Sequence, residues 1–516
     1  MKLTIENAHQ LLEEAKYDEA KEVFLDLHEA NPSDARVNYG LGVVYDHENE
    51  IPLAVKHLQA AALVATKKGI VFTKLADALR KDNDLESALE AARKGAALDK
   101  KSSMAQIVLG ECYDSLLRPV MARTCFENAV KLAPNLADGY IRLARHLATF
   151  GKFDDARAIL SKAKEIDTTS ADILILQFDL DNHENIKGIL EKSKKIISKY
   201  SSETSNETAG ILAFRIAKFH EKLKETDKAF EFYDQNRKLL YKDYEIERRK
   251  RQLTAYKQVF TKDFFSSREE ASLGSDKPVF VFGMPRSGTT LAEQIIAQHK
   301  FANGVGECTY FTQLQKQLFK GSTYSSNIFN EISKFRAKDF KKIGNTYVKT
   351  ITRDDKKSRR IVDKMPHNFE MLWMIALLFP NAHFIHMKRN PGDNCSSIYT
   401  TSLNSAHSYN IDQRTLGKYY RLYEELMDHW KEILPVTIYE QSYEDLVSDQ
   451  EAESRKLIDH LGLDWDPACL EFYKSSNQVF TASQSQVRQP IYTSSRGRWK
   501  KYEPHIQPLL EELGMV

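Results

Sequence analysis

The chain has 516 residues, too many for a single hydrophobic core and enough for two to four folding units. Its 74 Lys plus Arg against 72 Asp plus Glu leave a formal net charge of +2, so no global field draws it to nucleic acid or to a membrane, and any basic site has to be local. Five cysteines (Cys112, Cys125, Cys308, Cys395, Cys469) lie far apart without a C-x-x-C pair, which argues against a disulfide framework or a zinc site and fits a reducing compartment.

The first residues, MKLTIENAHQLLEEA, set acidic side chains within an amphipathic pattern and lack the apolar stretch of a signal peptide. The longest strongly apolar run, Met371 to Phe379, falls well short of the roughly 20 residues that cross a bilayer as a helix, and reads as a buried helix. Together these features predict a soluble, cytoplasmic protein with neither a membrane nor a nucleic-acid partner.

A period of 34 residues organises the first part of the chain. A small residue recurs as Ala20, Ala54, Ala88, Ala122 and Ala156, followed four positions later by Phe24, Leu58, Ala92, Phe126 and Leu160. Seven positions after each alanine stand Leu27, Ala61, Gly95, Ala129 and Ala163, and the preceding helices supply Leu41-Gly42, Leu75-Ala76, Leu109-Gly110 and Leu143-Ala144. One apolar stripe at helical spacing would be ordinary core; five in phase imply stacked units sharing one core. The pattern resembles the tetratricopeptide repeat (TPR), and Tyr113 and Pro134 make the fourth copy the fullest match. The register is lost over 170–210 and returns in degenerate form around Ala229, so the array is expected to span 1–240.

Residues 241–277 are charged and helix-prone and end in SSREEASLGSDK, which reads as a helical linker. From 278 to 516 the pattern changes. Short strand candidates (Pro278 to Phe282, Arg359 to Asp363, Ala382 to Met387, Val436 to Glu440) alternate with helical stretches, as in a parallel α/β sheet. The expected fold class is α plus α/β, a TPR α-solenoid followed by a P-loop-like parallel α/β domain.

Directly after the first strand, GMPRSGTTLAEQIIAQH is a glycine-bracketed turn opening an amphipathic helix, a geometry that aims backbone N–H groups and a helix N-terminus at an anion. The spacing Gly283 to Gly288 fits a P-loop, yet Thr289 stands where an ATP-using loop has lysine, and no acidic strand end of Walker-B type is evident. That weakens a kinase or ATPase reading. The loop keeps Arg286, Ser287, Thr289 and Thr290, and PRSGTTL resembles the 5′-phosphosulfate loop of sulfotransferases, above all tyrosylprotein sulfotransferases and bacterial TPR-linked sulfotransferases.

Further segments follow the same order. In HMKRNPGDNCSSIY, Arg389 precedes Ser397 by eight residues, so a strand-to-helix turn lets both converge on one phosphate; this resembles the family's 3′-phosphate segment, although an isolated strand-end arginine is more often a surface ion-pair residue. Glu307, 21 residues beyond Arg286, matches the family's general base, with His367 as a second candidate; taken alone it would be a solvated loop charge. Lys364, after the strand RRIVD, resembles the lysine set against the bridging oxygen of the donor. Tyr443 fits the family's tyrosine near the nucleotide. Ser483, with Ser485 as an alternative alignment, resembles the serine near the bridging oxygen, and Arg498 replaces a family lysine among the basic residues of the closing segment. Thr401 stands where the family has an arginine.

The resemblance implies a sulfotransferase that uses 3′-phosphoadenosine 5′-phosphosulfate (PAPS) and releases 3′,5′-adenosine diphosphate without a metal. Glu307, Lys364, Arg286 and Ser483 would be catalytic. Arg286, Ser287, Gly288, Thr289, Thr290, Arg389, Ser397, Tyr443, Ser483 and Arg498 would bind the donor. The acceptor would be a hydroxyl, on a protein or peptide tyrosine or a carbohydrate, held by the TPR groove or delivered by a partner docked there. A TPR scaffold with an inactive nucleotide-binding domain is the rival reading, and a P-loop kinase the weaker one.

Overall fold

A computed structural model of the chain describes residues 4–116, 118–180, 186–199, 206–240, 243–318, 332, 334–353, 355, 357–403, 405–474, 487–491 and 495–516. It divides into two compact units, Met1–Lys195 and Ile196–Val516.

In the first unit the 34-residue period becomes antiparallel helix pairs, beginning with Ile5–Glu13 and Tyr17–Ala30, then Ala35–His47 and Ile51–Val64. The five alanines of the repeat are wholly buried. Their companions explain why: a Cβ on Gly42 would stand 2.5 Å from Leu58, and one on Gly110 2.6 Å from Phe126, so the large residue of one helix fills the gap left by the glycine of its partner. The turns repeat as well. Ala15, Asn49, Asn83 and Gly151 hold left-handed backbone (φ 57°, 61°, 65° and 74°). The N–H of each following residue bonds back to the carbonyl five positions earlier, as Glu50 to Tyr45 (2.8 Å) and Asp84 to Leu79 (2.9 Å). This satisfies carbonyls that a helix end leaves open and fixes the exit angle alike in each copy.

The helices Glu207–Lys222 and Thr226–Leu240 form one more hairpin with the same turn: Lys224 has φ 61°, and Glu225 N–H bonds to His220 O at 3.0 Å. The sequence pattern carries the array to residue 240, whereas this hairpin falls inside the second compact unit. Its apolar face is committed there, with the Phe230 ring 4.9 Å from that of His505 and 5.2 Å from that of Tyr502.

Residues 243–277, read from composition as part of a linker, form the helices Ile246–Val259 and Lys262–Ser266, which pack into the same unit. Tyr256 and Phe260 are fully buried, Phe260 stacks on Trp373 with centroids 4.5 Å apart, and Arg249 pairs with Glu370 at 2.7 Å. A few large aromatics anchor a segment rich in charged residues, and average composition hides that kind of anchoring.

The second unit is built on five parallel strands in the order β2-β3-β1-β4-β5: β1 Pro278–Phe282, β2 Ala302–Gly306, β3 Arg360–Lys364, β4 His383–Lys388 and β5 Ile438–Ser442. Four of these fall within a few residues of the sequence expectation. The edge strand β2 has no counterpart there, because ANGVG lacks the β-branched run that marks a strand. The apolar run after β3 becomes the wholly buried helix Leu372–Leu378. The chain leaves β1 toward β2 and β3 on one side and reaches β4 and β5 on the other, so β1 is the point of reversal where parallel α/β sheets place their ligands.

Candidate active site

The loop from Gly283 to Gly288 joins β1 to the helix Thr289–Ala297. Gly283, Arg286 and Gly288 have φ of 148°, 67° and 102°. A Cβ on Gly283 would meet the Met387 carbonyl oxygen at 2.5 Å, and one on Gly288 would meet the Tyr443 ring at 2.6 Å, so dihedral and space both demand glycine. Arg286 adopts the left-handed region despite its side chain, at a penalty of roughly 1–2 kcal/mol. Such turns gather successive N–H groups into an anion-binding concavity. The N-cap Gly288 offers no side-chain cap to the helix that follows, and Thr289 and Thr290 are buried in its first turn. Ser287 Oγ is buried without a hydrogen-bond partner among the described residues.

β4 runs beside β1, pairing Phe282 with His386, and so delivers Arg389 to the loop. Arg389 donates from Nη1 to the Arg286 carbonyl (2.9 Å) and from Nη2 to the Ser495 carbonyl (2.9 Å), while its guanidinium lies 4.6 Å from the centre of the Tyr443 ring. Tyr443 is tied to Ser495 through their hydroxyls at 2.7 Å. The helix Pro391–Tyr399 then presents Ser397, whose hydroxyl accepts from Arg286 Nε at 3.2 Å, and Asn394, whose amide donates to the Pro285 carbonyl at 2.9 Å. The segments 283–290 and 389–397 therefore fold together. Arg286, Gly288, Arg389, Ser397 and Tyr443 form one cluster.

On the other side of β1, β3 pairs Val281 with Lys364. Lys364 is wholly buried, and its ammonium donates to Glu307 Oε1 at 2.5 Å. Glu307 follows the last residue of β2 and keeps 40% of its side chain exposed, so the carboxylate is open to solvent while the ammonium is not. Glu293, from the helix Thr289–Ala297, completes the group: Oε2 lies 4.0 Å from Lys364 Nζ, and Oε1 accepts the Gly306 N–H at 3.0 Å. Burial pushes the Glu293 carboxyl up to about 7, against the pull of Lys364. Asp363, buried behind and accepting from the Tyr347 hydroxyl at 2.8 Å, is likewise raised by burial to about 7.

The remaining sequence candidates lie differently. The Arg498 guanidinium pairs with Glu221 at 2.6 Å and bonds the Tyr502 hydroxyl at 3.0 Å, so its contacts are with the hairpin 207–240 and its own helical turn. Thr401 donates its hydroxyl to the Ser397 carbonyl at 2.6 Å. His367 meets the rings of His407 and Tyr409, and burial, then His407, holds its pKa well below the usual imidazole value. Ser483 and Ser485 lie outside the described residues. A cavity of about 330 Å³ is lined by Ser287, Arg389, Asn394, Tyr420 and Lys431 among others, but neither Lys364 nor Glu307 reaches it.

Three contributors escaped the sequence reading. Glu293 was visible only as a charge inside the apolar helix run LAEQIIA. Ser495 bridges Arg389 and Tyr443. Buried Asp393 accepts the N–H groups of Gly497 (2.6 Å) and Trp499 (2.9 Å), anchoring the closing segment to the start of the helix Pro391–Tyr399. Nothing in the local sequence marks Ser495 or Asp393.

Residues 278–467 match the sulfotransferase family, and residues 5–68 and 121–171 match the tetratricopeptide repeat. The chain thus joins TPR repeats to a sulfotransferase-family domain. An uncharacterized protein of Aquifex aeolicus is 30% identical over 380 residues, covering 72% of this chain and 49% of that protein. The protein-tyrosine sulfotransferase of Drosophila melanogaster is 24% identical over 260 residues, 46% of this chain and 51% of its own. The omega-hydroxy-beta-dihydromenaquinone-9 sulfotransferase Stf3 of Mycobacterium tuberculosis is 26% identical over 120 residues, 21% of this chain and 30% of its own. The chain therefore spans about half or less of the length of these relatives. Among solved structures, a thermophilic TPR protein of Thermus thermophilus is 19% identical and covers 33% of this chain and 92% of its own, with a TM-score of 0.30.

Proposed function

We propose that the second unit transfers a sulfuryl group from PAPS to a hydroxyl acceptor, on a peptide or protein tyrosine or on a carbohydrate, and that the TPR unit recruits the acceptor. The observation that carries this reading is the joint folding of 283–290 with 389–397, where Arg286 touches Ser397 and Arg389 is fixed against the loop backbone and Tyr443. One bound nucleotide then has its 5′-phosphosulfate at the loop and its 3′-phosphate at Arg389 and Ser397.

In this scheme the acceptor oxygen attacks sulfur in line, its proton passes to Glu307, and the bond between sulfur and the bridging oxygen breaks, so that 3′,5′-adenosine diphosphate leaves with the electron pair. Lys364, Arg286 and Ser483 stabilise the charge that grows on the bridging oxygen. The Lys364–Glu307 contact gives the sequence an order. Before the donor arrives, the lysine holds the base. Once the phosphosulfate offers a stronger anionic partner, Lys364 turns to it and frees Glu307 for the acceptor. Arg498 reaches the nucleotide only by exchanging Glu221 for phosphate.

The test is calorimetric titration of the full chain with 3′,5′-adenosine diphosphate and with ATP, followed by mass spectrometry for a gain of sulfate on candidate peptides and glycans incubated with PAPS. Binding of the bisphosphate in preference to ATP, with sulfate appearing on an acceptor, is expected. Preference for ATP would overturn the reading in favour of phosphoryl transfer, and binding of neither would leave a TPR scaffold.

A further inference from the structure

The hairpin Glu207–Lys222 and Thr226–Leu240 carries the turn of the repeat but touches the very segments that frame the proposed donor site. Arg237, wholly buried, donates from Nη2 to the carbonyls of Tyr399 and Thr401, the latter at 2.9 Å, and its guanidinium lies 5.4 Å from the centre of the Tyr399 ring. One turn earlier on the same helix, Asp234 accepts from the Tyr399 hydroxyl at 2.5 Å. Successive turns of one helix therefore grip a single residue by its backbone and its side chain.

Tyr399 is the last residue of the helix Pro391–Tyr399. A helix end leaves carbonyls open and carries the negative end of the dipole, and a buried guanidinium answers both demands. Two residues before Tyr399 stands Ser397, whose carbonyl takes the Thr401 hydroxyl and whose own hydroxyl takes Arg286. The same hairpin secures the closing segment, since Glu221 accepts from Arg498 and from the Tyr502 hydroxyl. That segment includes Ser495, which holds Arg389.

We infer that Arg237 is a positioning residue for the donor site, fixing the end of the helix Pro391–Tyr399 so that Ser397 and Arg389 are preset for the 3′-phosphate of the nucleotide. The inference rests on the proposed donor. Arg237 acts through the backbone of Tyr399 and Thr401. It brings a guanidinium to the backbone of Thr401, where the sequence lacks an arginine of its own.

The experiment is titration of full-length wild type, Arg237→Met and Arg237→Lys with 3′,5′-adenosine diphosphate and, in parallel, with 5′-AMP, which keeps the 5′ end and lacks the 3′-phosphate. Loss of preset geometry at one phosphate is expected to weaken Arg237→Met for the bisphosphate by about tenfold or more while 5′-AMP binding stays within about twofold, and Arg237→Lys, which keeps a cationic donor, is expected to recover part of the loss. Wild-type affinity of Arg237→Met for the bisphosphate would overturn the inference. So would equal loss for both nucleotides, which signals general damage to the fold. A wild-type protein that binds ATP but not the bisphosphate would sink the donor assignment instead, a result distinct from either.

Discussion

Lys364 and Glu307 lie 57 residues apart in the chain and 2.5 Å apart in space, the lysine fully buried at the end of β3 and the glutamate at the exposed end of β2. Among the described residues two acidic side chains flank that buried ammonium, Glu307 at 2.5 Å and Glu293 at 4.0 Å.

Replacement of Glu307 by Gln keeps shape and removes the proposed proton acceptor. Turnover is expected to fall by about 10²–10⁴, the range for loss of a general base, with affinity for 3′,5′-adenosine diphosphate retained. Radiolabelled sulfate transfer from PAPS, alongside calorimetry on the same protein, measures both. Wild-type turnover would remove Glu307 from the mechanism.

Lys364→Ala takes away the buried cation proposed to face the leaving group. A loss of turnover of about 10²–10³ or more is expected, as for deletion of one preorganised charge-stabilising group. The variant also removes the cation beside Glu293, which keeps the Gly306 N–H, so circular dichroism on the same sample has to show an intact fold before the rate is read.

Gly288→Ala tests the phosphate loop. With φ at 102° and a new methyl 2.6 Å from the Tyr443 ring, either the loop or Tyr443 has to move. Affinity for 3′,5′-adenosine diphosphate is expected to drop by about tenfold or more, whereas the same substitution at Gly274, where a Cβ meets nothing within 4 Å, is expected to leave it unchanged.

Glu293 makes stability depend on pH in a defined direction. Its folded pKa of about 7 lies above the roughly 4.3 of a free glutamate, so its contribution is fully present below the unfolded value and is lost as pH rises through the folded one. Between pH 5 and pH 8 the wild type is thus expected to lose on the order of 3 kcal/mol that Glu293→Gln does not lose. Scanning calorimetry at both pH values, following the transition that 3′,5′-adenosine diphosphate shifts, measures it. Asp363 is raised mainly by burial, and the charge of Glu293 adds to that rise, so the comparison reads Glu293 together with its effect on Asp363. A difference that moved in the wild type's favour with rising pH would show that Glu293 is ionised against Lys364 throughout.

Gly110→Val addresses the repeat unit alone. The new side chain would enter the space of Phe126, and overpacking of this kind costs about 1–3 kcal/mol. A lower melting transition by circular dichroism is expected, with binding of 3′,5′-adenosine diphosphate unchanged.

Features that a few neighbouring residues impose were legible in the sequence. The repeat depends on small and large residues at fixed helical offsets, and each lies within a single copy. The turn 283–288 depends on glycines at positions that tolerate no side chain, and four of the strands on short apolar runs. β2 was illegible because its residues have little strand preference and pair only through β3.

The sequence by itself determined the repeat array, the glycine-bracketed turn after β1 and the order of the chemical groups along the chain, because those follow from steric and periodic rules acting over a few residues. Tertiary structure alone decided that Glu307 and Glu293 flank one ammonium, that Arg498 rests on Glu221, and that the hairpin at 207–240 packs with the second unit although its turn repeats that of the first. Each of these is a choice of partner for a buried charge or an apolar face. That choice is settled by which strand and helix ends the sheet order brings within reach, and no local pattern encodes it.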